Sequence, residues 1–136
     1  MTTPSFRSVL KPEVAAAIRE VEQTLRASTL STREDGQGGA YVTVENVLLG
    51  HPYVQAETWV GFHLSFQYPY ADVYPHFVRG DLARTDGGPL GEAMTQGSFE
   101  GRSAIQVSRR SNKLNPATDT AAIKLAKVLE WMRNRR

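Results

Sequence analysis

The chain has 136 residues and a mass of 15.1 kDa, so we predict a single domain over residues 1–136. Hydrophobic residues make up 40% and charged residues 22%, which excludes a disordered chain and an integral membrane protein. No apolar run approaches the roughly 20 residues of a membrane-spanning helix. We therefore expect a cytoplasmic protein without a membrane partner.

Cysteine is absent from the sequence, which excludes disulfides, thiolate metal sites and a cysteine nucleophile. The three histidines, His51, His63 and His76, lie 12 and 13 residues apart. This spacing does not place any pair as metal ligands on one face of a helix. We predict neither a metal site nor a cofactor.

The net charge is only +2, although the isoelectric point is about 9.1. Basic residues concentrate at Arg109 and Arg110 and in the C-terminal tail at Arg133, Arg135 and Arg136. A nucleic-acid-binding surface is more often a continuous basic face with interleaved aromatic side chains. We therefore do not favour a nucleic-acid partner, and keep a small basic nucleic-acid-binding α+β module as an alternative.

The first periodic segment predicts a helix over residues 12–27. Its apolar side chains recur at steps of four, three and four residues, which places them on one helical stripe: Val14, Ile18, Val21 and Leu25. The glycine-rich residues 28–39 that follow contain no P-loop lysine and lead into a strand, so we interpret them as a flexible loop.

Four segments then carry strand patterns, at residues 41–49, 59–67, 76–79 and 104–108. The second alternates most clearly, with one apolar face: Val60, Phe62, Leu64 and Phe66. Residues 80–101 are rich in glycine and turn-forming residues, and we predict a loop there.

A last helix is predicted from near Thr118 to about Arg133, with its stripe at Ala122, Leu125, Leu129 and Met132. Segregated helices and strands are typical of an α+β fold, with the helices packed on one face of an antiparallel meander of three to four strands. A parallel sheet would need crossover helices between the strands, and the pattern contains none.

This order of elements resembles the ubiquitin-conjugating E2 superfamily, which includes the non-catalytic UEV and RWD domains. The matching motifs are Tyr68-Pro69, Tyr74-Pro75-His76 and Leu114-Asn115-Pro116. Residues 105–112, Ile-Gln-Val-Ser-Arg-Arg-Ser-Asn, also look like the E2-like proteins of bacterial ubiquitin-like conjugation operons, several of which are linked to antiviral defence. The resemblance implies a UBC-like fold with an N-terminal helix, the meander and a C-terminal helix.

The sequence departs from the E2 pattern at its reactive position. The E2 cysteine would fall between Gln106 and Ser111, and the chain has none, so ordinary thioester transfer is excluded. The resemblance then implies a cysteine-free, non-catalytic adaptor that binds the ubiquitin-like modifier, the E1-like enzyme or both. We predict the partner-binding residues Arg109, Arg110, Tyr70 and Tyr74.

An alternative is a serine-based E2 that carries the modifier as an oxyester, a ubiquitin-like protein transferase using serine. Ser108 and Ser111 are its candidate nucleophiles, and a serine needs a neighbouring base to be reactive. By resemblance the base would be His76, and the Asn112 side chain would donate to the oxyanion. Whether the chain is an enzyme is left open by the sequence.

Overall fold

A computed structural model describes residues 10–136, which form two helices and six strands. The first nine residues of the predicted domain lie outside the described residues. The elements in chain order are α1 (Pro12–Thr24), β1 (Thr29–Glu34), β2 (Ala40–Leu48), β3 (Glu57–Leu64), β4 (His76–Arg79), β5 (Met94–Phe99), β6 (Arg102–Val107) and α2 (Ala121–Arg133). Neither helix in this part of the chain is long and apolar enough to cross a membrane.

The helix α1 buries one stripe and ends three residues before its predicted limit. Pro12 occupies the first turn, where its missing N–H leaves no hydrogen bond unmade. The buried side chains are Val14, Ala17, Ile18 and Val21. Leu25 leaves the helical conformation, with φ −116° and ψ 57°, while its N–H still bonds Val21 O. The chain then turns into β1.

All six strands belong to one antiparallel sheet in the order β1-β2-β3-β4-β6-β5. One face of the sheet packs against α1 and α2. Its buried residues come from alternate positions along the strands: Val42, Val44, Val60, Phe62, Leu64, Val78, Ile105 and Val107. The alternation at Val60, Phe62 and Leu64 therefore corresponds to the helix-covered face of β3, whereas Phe66 lies beyond the strand and is 51% exposed. The main core lies between that face and the helices.

The predicted UBC-like arrangement, a meander of three to four strands, is wrong, because the sheet has six strands in a small α+β fold. Residues 28–39 were interpreted as a loop but include β1, and residues 80–101 include β5. Both added strands lie at sheet edges with few buried positions, so neither carries an alternating apolar pattern. The order is also no meander, since β6 lies between β4 and β5.

The opposite face of the sheet carries a second, aromatic cluster. It consists of Trp59, Phe99 and Ala104, with Tyr41 and Phe77 packed against them. The β5–β6 turn extends across this outer face, because Glu100 accepts two hydrogen bonds of 2.8 Å from Arg33 of β1. Nearby, Arg102 donates to Glu45 at 2.8 Å and lies 4.2 Å above the Trp59 ring. The β5–β6 hairpin therefore forms ion pairs with β1 and β2, at the opposite edge of the sheet from β5.

Close contact between the hairpin and the sheet depends on a glycine in β3. A Cβ at Gly61 would overlap the Phe99 ring, which lies directly on the strand backbone. By contrast, a Cβ at Gly97 of β5 would meet its nearest atom, Gln106 Cβ, at 3.7 Å, an ordinary contact. A residue with a side chain at position 61 would therefore clash with the Phe99 ring, so the fold needs glycine there.

We predict that Gly61→Ala lowers the free energy of unfolding by about 1–3 kcal/mol, because the new methyl group displaces the Phe99 ring. The matched control, Gly97→Ala, should change it by less than about 1 kcal/mol. Urea denaturation of both variants measures the difference. Adding Phe99→Leu should recover part of the loss at position 61, and equal effects of the two glycine substitutions would contradict the packing argument.

Candidate functional site

Two buried tyrosine hydroxyls fix the ends of α2. The N–H of Ala121 donates to the Tyr68 hydroxyl at 3.0 Å, and the Tyr53 hydroxyl donates to the carbonyl of Met132 at 3.0 Å. Burial raises the pKa of both phenols, so both stay protonated at neutral pH. The helix that forms one wall of the candidate site is therefore held at both ends by the body of the domain.

The chain enters α2 through a polar turn. Thr120 caps the helix, since its hydroxyl accepts the N–H of Ile123 at 3.2 Å. The helix begins at Ala121, three residues after the predicted start near Thr118. Asp119, directly before the cap, accepts the N–H of Asn115 on its carboxylate at 2.8 Å. Residues 108–120 thus run from the end of β6 to a defined helix start.

A network of three side chains ties this segment to the body of the domain. The Ser111 hydroxyl donates to Asp72 at 2.7 Å and accepts from Lys124 Nζ at 2.8 Å. Lys124 Nζ also lies 3.0 Å from both carboxylate oxygens of Asp72, and the Ser111 N–H donates to the same carboxylate at 2.7 Å. The network joins the residues before β4, the segment after β6 and α2.

The network is mostly shielded from solvent, with 9% of the Lys124 side chain and 17% of the Asp72 side chain exposed. Burial alone would raise the pKa of Asp72, but the hydrogen bonds from Ser111 and the Lys124 ammonium outweigh it and hold that pKa below its ordinary value. Asp72 is thus a carboxylate with its acceptor sites filled, and a weak proton acceptor. The arrangement orients Ser111 rather than activating it.

The sequence reasoning identified Ser111 but missed Asp72 and Lys124. The signal for Lys124 was available, since it lies three residues after Ala121 and four before Val128, both buried on the inner face of α2. A lysine at such a position needs a buried acidic partner. The partner, Asp72, is 52 residues away in the chain, and no local pattern identifies it.

A cleft of about 250 Å³ opens beside the network, between residues 109–112 and the side of α2 that carries Lys124, Lys127 and Trp131. The Arg109 guanidinium lies 4.7 Å above the Trp131 ring, and that of Arg110 lies 3.9 Å above the Tyr74 ring. Both arginines are exposed. Stacking on aromatic faces holds the guanidinium groups in place while their N–H edges stay accessible.

The remaining residues of the segment have less defined surroundings. Ser108 follows β6, where its N–H donates to Ala93 O at 2.8 Å and its hydroxyl accepts from Gln106 at 3.2 Å. Asn112 is exposed at the cleft, and no hydrogen bond of its side chain is formed within residues 10–136. Neither residue contacts a base, so the structure brings together only Ser111 with a charged pair.

His76 lies on the helix-covered face of β4, with no exposed surface. Its ring centroid is 5.3 Å from that of Phe62, and neither ring nitrogen has a hydrogen-bond partner in the described chain. Burial, reinforced by the charge of Lys124 and opposed by that of Asp72, lowers the pKa of His76 to about 3. The assignment of His76 as the base is corrected on this geometry, because the ring bonds neither serine.

The two predicted partner-binding tyrosines differ in exposure. Tyr70 is 73% exposed, beside Phe66, which is 51% exposed. Lys11 Nζ lies 5.9 Å from the Tyr70 ring and donates to the carbonyls of Phe66 and Tyr68 at 2.8 and 3.0 Å. Tyr74 is half-buried under Arg110. Tyr70 therefore belongs to a separate exposed aromatic surface, whereas Tyr74 supports the cleft.

A larger hollow of about 530 Å³ lies on the outer face of the sheet, near Trp59. Its arginines already have acidic partners, Arg79 with Asp81 at 2.6 Å and Arg102 with Glu45 at 2.8 Å. Within residues 10–136 no group of three or more potential ligands could hold a metal ion. The cleft beside α2 is the better candidate, because its exposed cations lack such partners.

Comparison with known proteins found no matching family model, no similar curated protein and no similar solved structure.

The burial of His76 predicts a pH dependence of stability. Between its ordinary pKa of 6.5 and the folded value of about 3, the unfolded chain binds a proton that the folded chain does not. Stability should therefore fall with decreasing pH, by about 2–3 kcal/mol between pH 6.5 and pH 4.5. His76→Leu should remove this slope in urea denaturation, whereas the exposed-site control His51→Gln should retain it. An unchanged slope in His76→Leu would contradict the assignment.

The network predicts unequal roles for two lysines of α2. Lys124→Ala leaves Asp72 partly buried without its ion-pair partner and should lower the free energy of unfolding by about 3 kcal/mol. Lys127→Ala, one turn away and exposed, should change it by less than about 0.5 kcal/mol. Thermal or urea unfolding compares the two variants. Losses of similar size would show that the buried pair is not important for stability.

Proposed function

We propose that this chain is a cytoplasmic, non-catalytic adaptor of a bacterial ubiquitin-like conjugation pathway. It binds the ubiquitin-like modifier, the E1-like enzyme or both through residues 109–112 and the neighbouring cleft. The proposal rests on the resemblance of residues 105–112 to such proteins, together with the chemistry of the site. The observation that carries it is an exposed arginine pair, stacked on aromatic rings, beside a serine whose proton acceptor is a carboxylate of lowered pKa.

The hydrogen bonding of Ser111 supports binding rather than catalysis. A serine nucleophile needs a group that takes its proton at neutral pH. The acceptor present is the Asp72 carboxylate, whose pKa lies below its ordinary value, and Lys124 is ion-paired with it. His76 is fully buried, and its ring nitrogens form no hydrogen bond to Ser111 or to any other residue of the described chain. The contacts among Asp72, Ser111 and Lys124 therefore support a structural role, in which they hold residues 109–112 in place for binding.

The exposed side chains beside the network support a protein partner. Arginine and tyrosine are enriched at protein interfaces, and stacked arginines lose little conformational freedom on binding. Arg109 and Arg110 meet both conditions at the cleft. Tyr70 adds a large exposed ring at a second position of the surface. An acidic partner surface would match these cations.

A serine-based transferase is the second candidate function. The observation that favours it is the contact of the Ser111 hydroxyl with both a carboxylate and an ammonium, at 2.7 and 2.8 Å. In this alternative Asp72 accepts the hydroxyl proton and Lys124 stabilises negative charge that develops at the oxygen. The Ser111 oxygen would attack the C-terminal carbonyl of a modifier held as a thioester on the E1-like enzyme, so that the C–S bond breaks, the thiol of the E1-like enzyme leaves with the proton and the modifier is carried as an oxyester on Ser111.

We predict that charge reversal at the arginine pair weakens partner binding. Arg109→Glu and Arg110→Glu should each reduce affinity for a bacterial ubiquitin-like modifier or its E1-like enzyme by about tenfold or more. Arg26→Glu makes the same charge change at an exposed position away from the cleft and should bind like the unmodified chain. Calorimetric titration without ATP measures all three, and failure of the unmodified chain to bind either protein would contradict the adaptor.

Incubation with the E1-like enzyme, ATP and modifier separates the two candidate functions. The adaptor forms no covalent product. An adduct that resists thiol reductant, is cleaved by hydroxylamine and disappears in Ser111→Ala would replace the adaptor with the serine transferase. Ser108→Ala serves as the comparison, because the Ser108 hydroxyl contacts neither Asp72 nor Lys124.

A further inference from the structure

Three cations line the cleft beside α2 without an acidic partner. They are Arg109, Arg110 and Lys127, and all three are exposed. None takes part in an ion pair within residues 10–136. The fourth cation, Lys124, is compensated by Asp72. The cleft therefore contains positive charge that the protein does not neutralise.

The negative charge in the lining is smaller than the positive charge. Asp119 is the one uncompensated carboxylate among the lining residues, and one of its oxygens already accepts the N–H of Asn115 at 2.8 Å. Against three cations it leaves an excess of two positive charges. A dianion matches this excess, whereas a single carboxylate leaves part of it unpaired.

The guanidinium groups are also oriented for a ligand. Each lies over an aromatic ring, at 4.7 Å for Arg109 and 3.9 Å for Arg110, and neither donates a hydrogen bond within the described chain. The planar N–H fork of arginine fits the oxygens of phosphate and carboxylate groups in a bidentate manner. The donors of the cleft are therefore both positioned and uncommitted.

A further cation lies behind the cleft. Arg135 lies 4.3 Å from the same Trp131 ring that Arg109 covers at 4.7 Å, so two positive charges share one indole. Arg135 also donates to Leu90 O at 2.9 Å, which fixes it in place. Repulsion between such neighbouring cations costs stability, and a bound anion would offset it.

We propose that this cleft is a binding site for a phosphate dianion, carried by a free phosphorylated small molecule. The Arg109 and Arg110 forks and the Lys127 ammonium hold the phosphate oxygens, while Val128 and Trp131 form the apolar wall. The Asp72–Ser111–Lys124 network keeps residues 109–112 in place, so the site exists before the anion arrives. This assignment is independent of the adaptor, because it requires no partner protein.

The test is a calorimetric titration of the full chain with inorganic pyrophosphate at constant ionic strength. The unmodified chain should bind it. Arg109→Gln, Arg110→Gln and Lys127→Gln should each weaken binding by about tenfold or more, the effect of one charge-assisted hydrogen bond. Arg26→Gln carries the same loss of charge outside the cleft and should leave affinity unchanged. Unfolding curves of all variants verify that each is folded.

Two further ligands distinguish the source of the anion. Diglycine with a free carboxylate should bind more weakly than pyrophosphate, and tighter binding of diglycine would overturn the assignment in favour of a peptide carboxylate. A single-stranded oligonucleotide should not compete better than pyrophosphate. If it does, and Arg26→Gln weakens it as much as Arg109→Gln, the chain has a general polyanion surface. No detectable binding of pyrophosphate also overturns the proposal.

Discussion

The ion pair between Asp72 and Lys124 is the constraint on which the site depends. It joins the residues before β4 to α2, and Ser111 completes it with a hydroxyl and a backbone N–H. A buried charge is tolerated only when it is paired and hydrogen-bonded. Removing either side chain would therefore leave the other charge buried without a partner, which lowers stability. Because the Ser111 N–H is bonded to Asp72, the backbone next to Arg109 and Arg110 is held in place.

The two faces of the sheet are stabilised by different means. On the inner face, α1 and α2 cover branched aliphatic side chains, and tyrosine hydroxyls bond both ends of α2. On the outer face, no helix is present in the described chain, and the β5–β6 hairpin covers the aromatic cluster through Phe99 and the Arg33–Glu100 pair. The arginines of the outer face have acidic partners, Arg33 with Glu100, Arg79 with Asp81 and Arg102 with Glu45, whereas the three exposed cations of the cleft beside α2 have none within residues 10–136.

The sequence predicted the parts of the fold whose side chains alternate or recur on one face. The β3 pattern and the α2 stripe are of this kind, because the faces that meet between sheet and helices need apolar side chains at every second position of the strand and at every third or fourth position of the helix. The strands β1 and β5 were missed, since edge strands exposed on most positions carry no such pattern. At the site, Ser111 and the arginines were found by local motif. Asp72 was not, because its contact with Lys124 is long-range, and His76 was misassigned because its burial is a tertiary property.

The contacts of Ser111 with Asp72 and Lys124 leave it without a strong base, and the same contacts hold the segment that lines the proposed anion-binding cleft. A reactive serine needs a partner that exchanges a proton, and exchange requires a base with room to move and a pKa near neutrality. Here the Asp72 carboxylate already accepts hydrogen bonds on both oxygens, Lys124 is ion-paired with it, and His76 is fully buried. Binding instead favours donors whose positions are fixed before the ligand arrives. The guanidinium groups of Arg109 and Arg110 are fixed in this way, because they stack on aromatic rings. The chemistry of residues 109–112 therefore favours recognition of an anionic ligand over group transfer.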